Sequence, residues 1–165
     1  MKEINIEELK FNPFAKIGKE WFLITAGNRD SFNTMTASWG FMGVMWGRNC
    51  IQAVVRPTRH TYKFLTENDN FTVSFFSEKY RDALSYCGSH SGRDVDKIKE
   101  TGLTPVFDEK FVYFEEADLV ICCNKLYTGE MNSGGLTLEL NTKFNSSDPI
   151  HCQFIGSVDT AYVKE

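Results

Sequence analysis

The segment from Arg56 to Thr61 (RPTRHT) carries side chains suited to binding a phosphate. It follows an apolar run and begins a stretch of helical character. Arginine presents a planar fork of N–H donors that matches a phosphate, and the free N–H groups at a helix N-terminus point toward the same ligand. The segment therefore predicts a phosphate site formed by Arg56, Arg59 and neighbouring hydroxyls. The alternative interpretation is a solvated basic turn.

A second segment, from Cys87 to Asp94 (CGSHSGRD), ends close to Lys97 and is rich in glycine and serine. Glycines allow the backbone angles at which consecutive amide groups converge on an anion. The segment predicts an anion-binding loop if it lies beside the arginine segment. Alone, it is equally consistent with a flexible hairpin.

A third segment, from Asn33 to Trp39 (NTMTASW), alternates small and hydroxyl side chains along an expected strand. Such a strand lets a flat ligand lie close to the backbone. Taken alone, the pattern favours an edge strand with a polar outer face.

The remaining reactive side chains argue against several chemistries. The three histidines, His60, His90 and His151, lack metal-ligand spacing, so no metal site is predicted. The five cysteines contain no C-x-x-C pair and are expected to be reduced, buried thiols. Cys87 is the exception, since it is predicted to open a glycine- and serine-rich loop. We assign no catalytic acid, base or nucleophile.

Charge and hydropathy restrict the partners. The net charge is −4 and the pI is about 5.4, so nonspecific binding to nucleic acid or to acidic membranes is disfavoured. No run approaches the roughly 20 apolar residues that span a bilayer. The N-terminus is acidic and lacks an apolar leader, so a cytoplasmic protein is predicted.

The length suits one domain over residues 1–165, mainly β with short helices. The predicted strands are Trp21–Thr25, Asn33–Trp39, Cys50–Val55, Phe71–Phe76, Val112–Phe114, Leu119–Leu126 and Cys152–Val163. The predicted helices are Thr58–Thr66, Glu78–Tyr86 and Asp94–Thr101. Residues Thr128–Pro149 are expected to form a surface loop with one short strand at Leu136–Leu140. No G-x-G-x-x-G motif follows a strand, which argues against a Rossmann fold.

In order and spacing, the pieces NTMTASWG, VRPTRHTYKF, FTVSFF and YRDALSYCGSHSGRDVDKIKETGLTPVF resemble the flavin reductase-like family, in its flavoredoxin branch. IHCQFIGSVDTAYVK resembles the closing strands of the same fold. The resemblance implies a Greek-key split β-barrel of the FMN-binding type that forms a homodimer, with flavin mononucleotide (FMN) near the subunit interface.

The resemblance also implies the residues of the FMN site. Thr36, Ala37 and Ser38 would follow the isoalloxazine and ribityl chain. Arg56, Arg59 and Thr61 would address the phosphate or the flavin edge, and Ser89, Ser91, Gly92 and Lys97 would close the site. Relatives often have an aromatic residue where this chain has His60. The full set implied is Thr34, Met35, Thr36, Ala37, Ser38, Arg56, Pro57, Arg59, His60, Thr61, Cys87, Gly88, Ser89, Ser91, Gly92, Asp94 and Lys97.

The function implied is that of an NAD(P)H-dependent oxidoreductase of the flavin or ferric reductase type, which passes electrons to a small molecule or a partner protein. The alternatives are an FMN-binding electron-transfer or storage protein without nicotinamide-dependent activity, an oxidase of the pyridoxamine phosphate type, and a purely structural module. The last requires the arginine and glycine segments to lie apart. Thr128–Pro149 matches the family poorly, so substrate choice is expected to be set there.

Overall fold

The computed structural model describes residues 1–165 as an antiparallel β structure with short helices. The strands are β1 Lys2–Ile4, β2 Phe22–Gly27, β3 Phe32–Ala37, β4 Gly40–Met45, β5 Arg48–Val55, β6 Asn70–Phe75, β7 Pro105–Phe107, β8 Val112–Phe114, β9 Leu119–Glu130 and β10 Cys152–Val163. The α-helices are α1 Pro13–Ala15, α2 His60–Glu67, α3 Arg81–Ser89, α4 Lys97–Thr101 and α5 Leu138–Asn145. Short 3₁₀ turns cover Ile6–Glu8, Glu78–Tyr80 and Ser133–Gly135, and a π-helical turn covers Lys16–Glu20.

The main sheet has the order β3-β2-β6-β9-β10-β5-β4, with β1 added beside β10. All of its pairings are antiparallel. The two edge strands, β3 and β4, are joined by only Ser38 and Trp39. Because so short a connection brings the two edges together, the sheet curls into a barrel, which stays open because β3 and β4 do not pair. This is the split-barrel architecture that the resemblance implies.

Apolar side chains fill the barrel from nearly every strand. The interior cluster of 18 buried residues includes Phe22, Phe71, Phe75 and Phe154. A second cluster of 10 packs α3 and the β7–β8 hairpin onto the outer face of the sheet, around Phe114. Strands β6 and β9 are therefore buried on both faces, which explains their apolar runs FTVSFF and LVICC. No helix of the structure is long and apolar enough to cross a membrane.

The helix boundaries differ from the sequence prediction, and at α4 a side-chain cap decides the start. Helix α4 begins at Lys97 rather than Asp94, since the Asp96 carboxylate accepts from the N–H groups of Ile98 and Lys99. It ends at Thr101, as predicted, and the following Gly102 has φ at 68°. Helix α2 begins at His60 and has no side-chain cap.

Two expectations were wrong. Leu136–Leu140 is not a strand, because Thr137 caps helix α5 by accepting from the Leu140 N–H at 3.4 Å. Cys87, Gly88 and Ser89 are not loop residues, since they form the last turn of α3. Strands β1, β4 and β7 were missed, and β4 has a sequence (GFMGVM) in which glycines interrupt the strand pattern.

Candidate functional site

An open cleft lies between the ends of β3 and β5, beside the split in the barrel. Its enclosed part measures about 220 Å³. As an edge strand, β3 leaves the backbone groups on its outer side without strand partners. The lining residues are Met35, Thr36, Ala37, Ser38, Trp39, Val54, Val55, Arg56, Arg59 and His151. The cleft thus combines an apolar floor, an unpaired strand edge and two arginines.

The arginine segment connects β5 to α2 at one end of this cleft. The backbone N–H groups of His60 and Thr61, in the first turn of α2, have no hydrogen-bond partner in the chain. Arg59 donates through Nη2 to the Gly88 carbonyl at the end of α3, and the rest of its guanidinium makes no hydrogen bond to the protein. Unpaired N–H groups and a guanidinium with spare donors can together bind an anion.

Arg56 also makes contacts that the sequence did not predict. Its Nη1 donates to the Pro149 carbonyl at 2.6 Å, and its Nη2 donates to the Phe144 carbonyl at 2.5 Å. Phe144 lies in the last turn of α5, where carbonyls lack helical partners and a cation is favoured. Arg56 therefore attaches α5 and the chain after it to the edge of the cleft.

The glycine–serine segment lies against the arginine segment. Arg93 donates through Nη1 to the Thr58 carbonyl at 3.2 Å. At Gly92, an added Cβ would come within 2.1 Å of Asn33 Oδ1 and 3.3 Å of His60 Cδ2. Only glycine allows this close approach. The structure thus brings together the two segments that a purely structural module would keep apart.

Several predicted ligand groups are engaged in holding this arrangement. The buried Lys97 ammonium donates to the Thr34 carbonyl at 2.8 Å and to the Cys87 carbonyl at 2.7 Å, which ties β3 to α3. The Thr61 hydroxyl accepts from Asn33 Nδ2 at 2.7 Å. The Thr36 hydroxyl donates to the Leu84 carbonyl. Through these hydrogen bonds the side chains hold together the elements around the cleft, which we call its frame.

The serines of the second segment also make local bonds. Ser89 Oγ donates to the Ser85 carbonyl at 2.8 Å, and Ser91 Oγ accepts from the Arg93 N–H at 3.2 Å. Asp94 is exposed, and Pro57 is half-buried beside Arg56. Cys87 is fully buried, and burial raises the pKa of its thiol to about 11. The idea of an exposed, reactive Cys87 was therefore wrong.

The local field is positive where the segments meet. Burial lowers the pKa of the His60 imidazole, and the charges of Arg93, Lys63 and Lys97 lower it further. His60 Nδ1 is buried without a hydrogen-bond partner. The charges of Arg93, Lys63 and Lys97 also favour an anion here, whereas burial disfavours either sign of charge and Asp94 opposes the three cations.

Sequence reasoning missed six residues of this region. Asn33 and Arg93 bridge the segments, while Trp39, Val54, Val55 and His151 line the cleft. Asn33 and Arg93 lie inside segments that had been singled out, so their side-chain chemistry was a usable signal. His151 is far along the sequence from the other lining residues, and nothing in its neighbours indicated the cleft.

Comparison with known proteins gave a consistent result. Residues 14–165 match the model of the flavin reductase like domain. No curated protein sequence matches the chain. Flavoredoxin of Desulfovibrio vulgaris (Miyazaki F) is 26% identical, with a TM-score of 0.70, over 100% of this chain and 77% of its own. Flavoredoxin from Methanosarcina acetivorans is 22% identical, with the same TM-score and the same coverage.

An NADH:FAD oxidoreductase of Streptomyces globisporus, solved in complex with NAD and FAD fragments, also shares the fold. It is 19% identical with a TM-score of 0.66, over 88% of this chain and 74% of its own. The family-model match covers most of the sequence, and the antiparallel barrel agrees with it. The chain belongs to the flavin reductase-like domain family.

Proposed function

We propose that this protein binds FMN non-covalently in the cleft along β3 and acts as an NAD(P)H-dependent flavin oxidoreductase. The observation that carries the proposal is the meeting of the arginine segment with the glycine–serine segment at the end of β3. The meeting gives one end of an apolar cleft a positive field and unpaired donors. An elongated ligand matches this arrangement if its flat ring lies in the apolar part of the cleft and its terminal phosphate lies at the positive end.

Each group of hydrogen-bond donors at the cleft can be matched to a part of FMN. The phosphate would be held by the N–H groups of His60 and Thr61 and by the spare donors of Arg59, with His60 Nδ1 close by. The ring would lie along Thr36 to Ser38, where the unpaired edge of β3 offers backbone groups to its polar edge. Lys97 and Arg56 would act mainly by holding the frame, because Lys97 gives two of its three donors and Arg56 two of its five to backbone carbonyls.

When bound, FMN would supply hydride and electron chemistry, accepting a hydride from a nicotinamide and passing electrons onward. The chain would contribute position and charge. Donors at the cleft would stabilise the negative charge of the reduced ring and raise its potential. The five cysteines are all free, which supports a reducing compartment such as the cytoplasm.

We further propose that two copies of the chain associate across the split side of the barrel. Strand β4 and its turn expose large apolar side chains, with Phe41 70%, Val44 74% and Trp46 62% exposed. A contiguous exposed apolar patch commonly marks an interface. The enclosed part of the cleft, about 220 Å³, is below the roughly 300–1,000 Å³ of a typical small-molecule site. A second copy would cover what one chain leaves open.

The dimer is tested by sedimentation of the wild type and of Val44→Asp. We expect the wild type to sediment as a dimer and the variant to shift to the monomer, because a buried unpaired carboxylate opposes association. The control is Leu138→Asp, whose exposed side chain lies on α5 instead of β4. A monomeric wild type, or an equal shift in both variants, would contradict the interface.

The function is tested by the visible spectrum of purified protein after FMN is added and the excess removed, followed by NADH or NADPH without oxygen. Retained flavin that bleaches supports the proposal. Retained flavin that stays yellow favours the alternative of an electron-transfer or storage protein. Failure to retain flavin contradicts binding of FMN as a resident group.

A further inference from the structure

A second cavity adjoins the candidate FMN cleft and has a different character. It measures about 410 Å³ and lies between the β4–β5 edge and helix α5. Trp39, Val54 and His151 line both spaces, so a molecule in the cavity would be next to one in the cleft. Its volume falls within the range of about 300–1,000 Å³ that holds small organic ligands.

The wall of this cavity is apolar and carries no Lys, Arg, Asp or Glu side chain. Phe41, Leu140 and Phe144 form much of it, and the rings of Trp39 and Phe144 meet edge to face at 5.1 Å between centroids. Burial, followed by the charge of Arg56, lowers the pKa of His151, so its imidazole is neutral at pH 7. A phosphate or carboxylate would lose its hydration here without an ionic partner. The lining therefore selects an uncharged ring compound.

Helix α5 is fixed in place as a wall of the cavity. The two hydrogen bonds from Arg56 attach its last turn to the end of β5, and Trp39 packs on Phe144. At the same wall, Asn145 Oδ1 is buried without a partner, while its Nδ2 donates to Asn141 Oδ1 at 3.1 Å. This acceptor can take a hydrogen bond from a hydroxyl, which the hydroquinone product has and the quinone itself lacks.

We propose that this cavity binds a small, uncharged quinone as the electron acceptor of the flavin site. The acceptor role rests on the proposed function, whereas binding in the cavity does not. A quinone held here takes two electrons and two protons, leaves as the hydroquinone, and returns the reduced flavin to its oxidised form. The segment Thr128–Pro149, in which the sequence predicts substrate choice, supplies part of the lining through Met131, Leu136, Leu140, Phe144 and Asn145.

The binding test uses flavin-free protein and 1,4-naphthoquinone, titrated by calorimetry and by saturation-transfer NMR. The charged analogue 1,4-naphthoquinone-2-sulfonate is titrated alongside it. We expect the neutral compound to bind and the sulfonate to bind about tenfold more weakly or not at all, because the wall offers no cation. Absence of binding by the neutral compound, or equal binding of both, would overturn the proposal.

A matched pair of variants locates the site on α5. Leu140→Asp places a charge in the wall, whereas Leu138→Asp places it two residues away on the same helix, outside the cavity. Leu138 and Leu140 are 83% and 42% exposed, so both variants should fold, which thermal unfolding checks. We expect Leu140→Asp to weaken naphthoquinone binding about tenfold and Leu138→Asp to leave it unchanged. Equal effects would overturn the location.

The acceptor role is then tested in FMN-loaded protein by anaerobic reduction followed by 1,4-naphthoquinone. We expect reoxidation of the flavin to saturate with quinone concentration in the wild type and in Leu138→Asp, and to lose saturation in Leu140→Asp. If naphthoquinone fails to bind but FMN is retained and bleached, the quinone proposal fails and the proposed function stands. If naphthoquinone binds and FMN does not, the cavity stands and the acceptor role fails.

Discussion

Lys97 provides a test of how the frame of the cleft is built, through a measurable dependence of stability on pH. Its ammonium is buried, with two backbone carbonyls as its only hydrogen-bond partners and no carboxylate in an ion pair. Burial lowers the pKa of Lys97 to about 8 from a usual 10.5, although the nearby Cys87 opposes that shift. The folded chain therefore releases this proton at a lower pH than the unfolded chain does.

The sign of the effect follows from the two pKa values. Below about pH 8 both states hold the proton, so this group adds no dependence of stability on pH. Between about pH 8 and 10.5 the unfolded chain holds more protons, so stability rises with pH. Linkage with these values gives about 1.3 kcal/mol of added stability at pH 9 relative to pH 7.

The perturbation is Lys97→Met, which keeps an unbranched side chain and removes the titrating group. Urea unfolding of flavin-free wild type and variant is followed by tryptophan fluorescence at pH 7, 8 and 9. Thiols and tyrosines titrate in both proteins, so the difference between the two stabilities isolates Lys97. We expect that difference to move by about 1.3 kcal/mol in favour of the wild type between pH 7 and 9.

A flat difference would refute the reasoning. It would mean that the carbonyls of Thr34 and Cys87 stabilise the ammonium enough to cancel the cost of burying it. A difference moving in favour of the variant would mean that the Lys97 pKa lies above its usual value in the folded chain. Either result would mean that burying the Lys97 ammonium does not lower the stability of the folded chain in the way its reduced pKa implies.

Three further outcomes follow from the site. Arg59→Ala should weaken FMN binding about 10–150-fold by calorimetry, the equivalent of about 1.5–3 kcal/mol for a charge-assisted hydrogen bond, whereas Arg29→Ala, at the opposite end of the β2–β3 hairpin, should not. Gly92→Ala should lower the melting temperature by several degrees, because its Cβ meets Asn33, while Gly135→Ala, where nothing lies within 4 Å, should not. Cys87 should resist iodoacetamide at pH 8 in the folded protein and react only after unfolding; labelling at the rate of an exposed thiol would contradict its burial.

The sequence was most informative where local chemistry decides the structure. The strands Val112–Phe114 and Cys152–Val163 have the predicted bounds, because apolar β-rich runs mark them clearly. The arginine and glycine–serine segments were found from side-chain chemistry, and the structure brings them together. Helix α5 was missed because GGLTLEL is typical of a turn followed by an alternating strand, whereas Thr137 is the N-cap of a helix.

The use of each donor could not be read from the sequence, because it depends on contacts between distant parts of the chain. The two carbonyls that occupy Arg56 lie 88 and 93 residues further along. Lys97 reaches back 63 residues to the Thr34 carbonyl. A sequence motif therefore shows which hydrogen-bond donors a segment has, whereas the fold decides which of them remain free to bind a ligand. In this chain the fold assigns Lys97 and Arg56 to the frame and leaves Arg59 and the start of α2 with unpaired donors, so substitutions in the two groups should separate stability from FMN affinity.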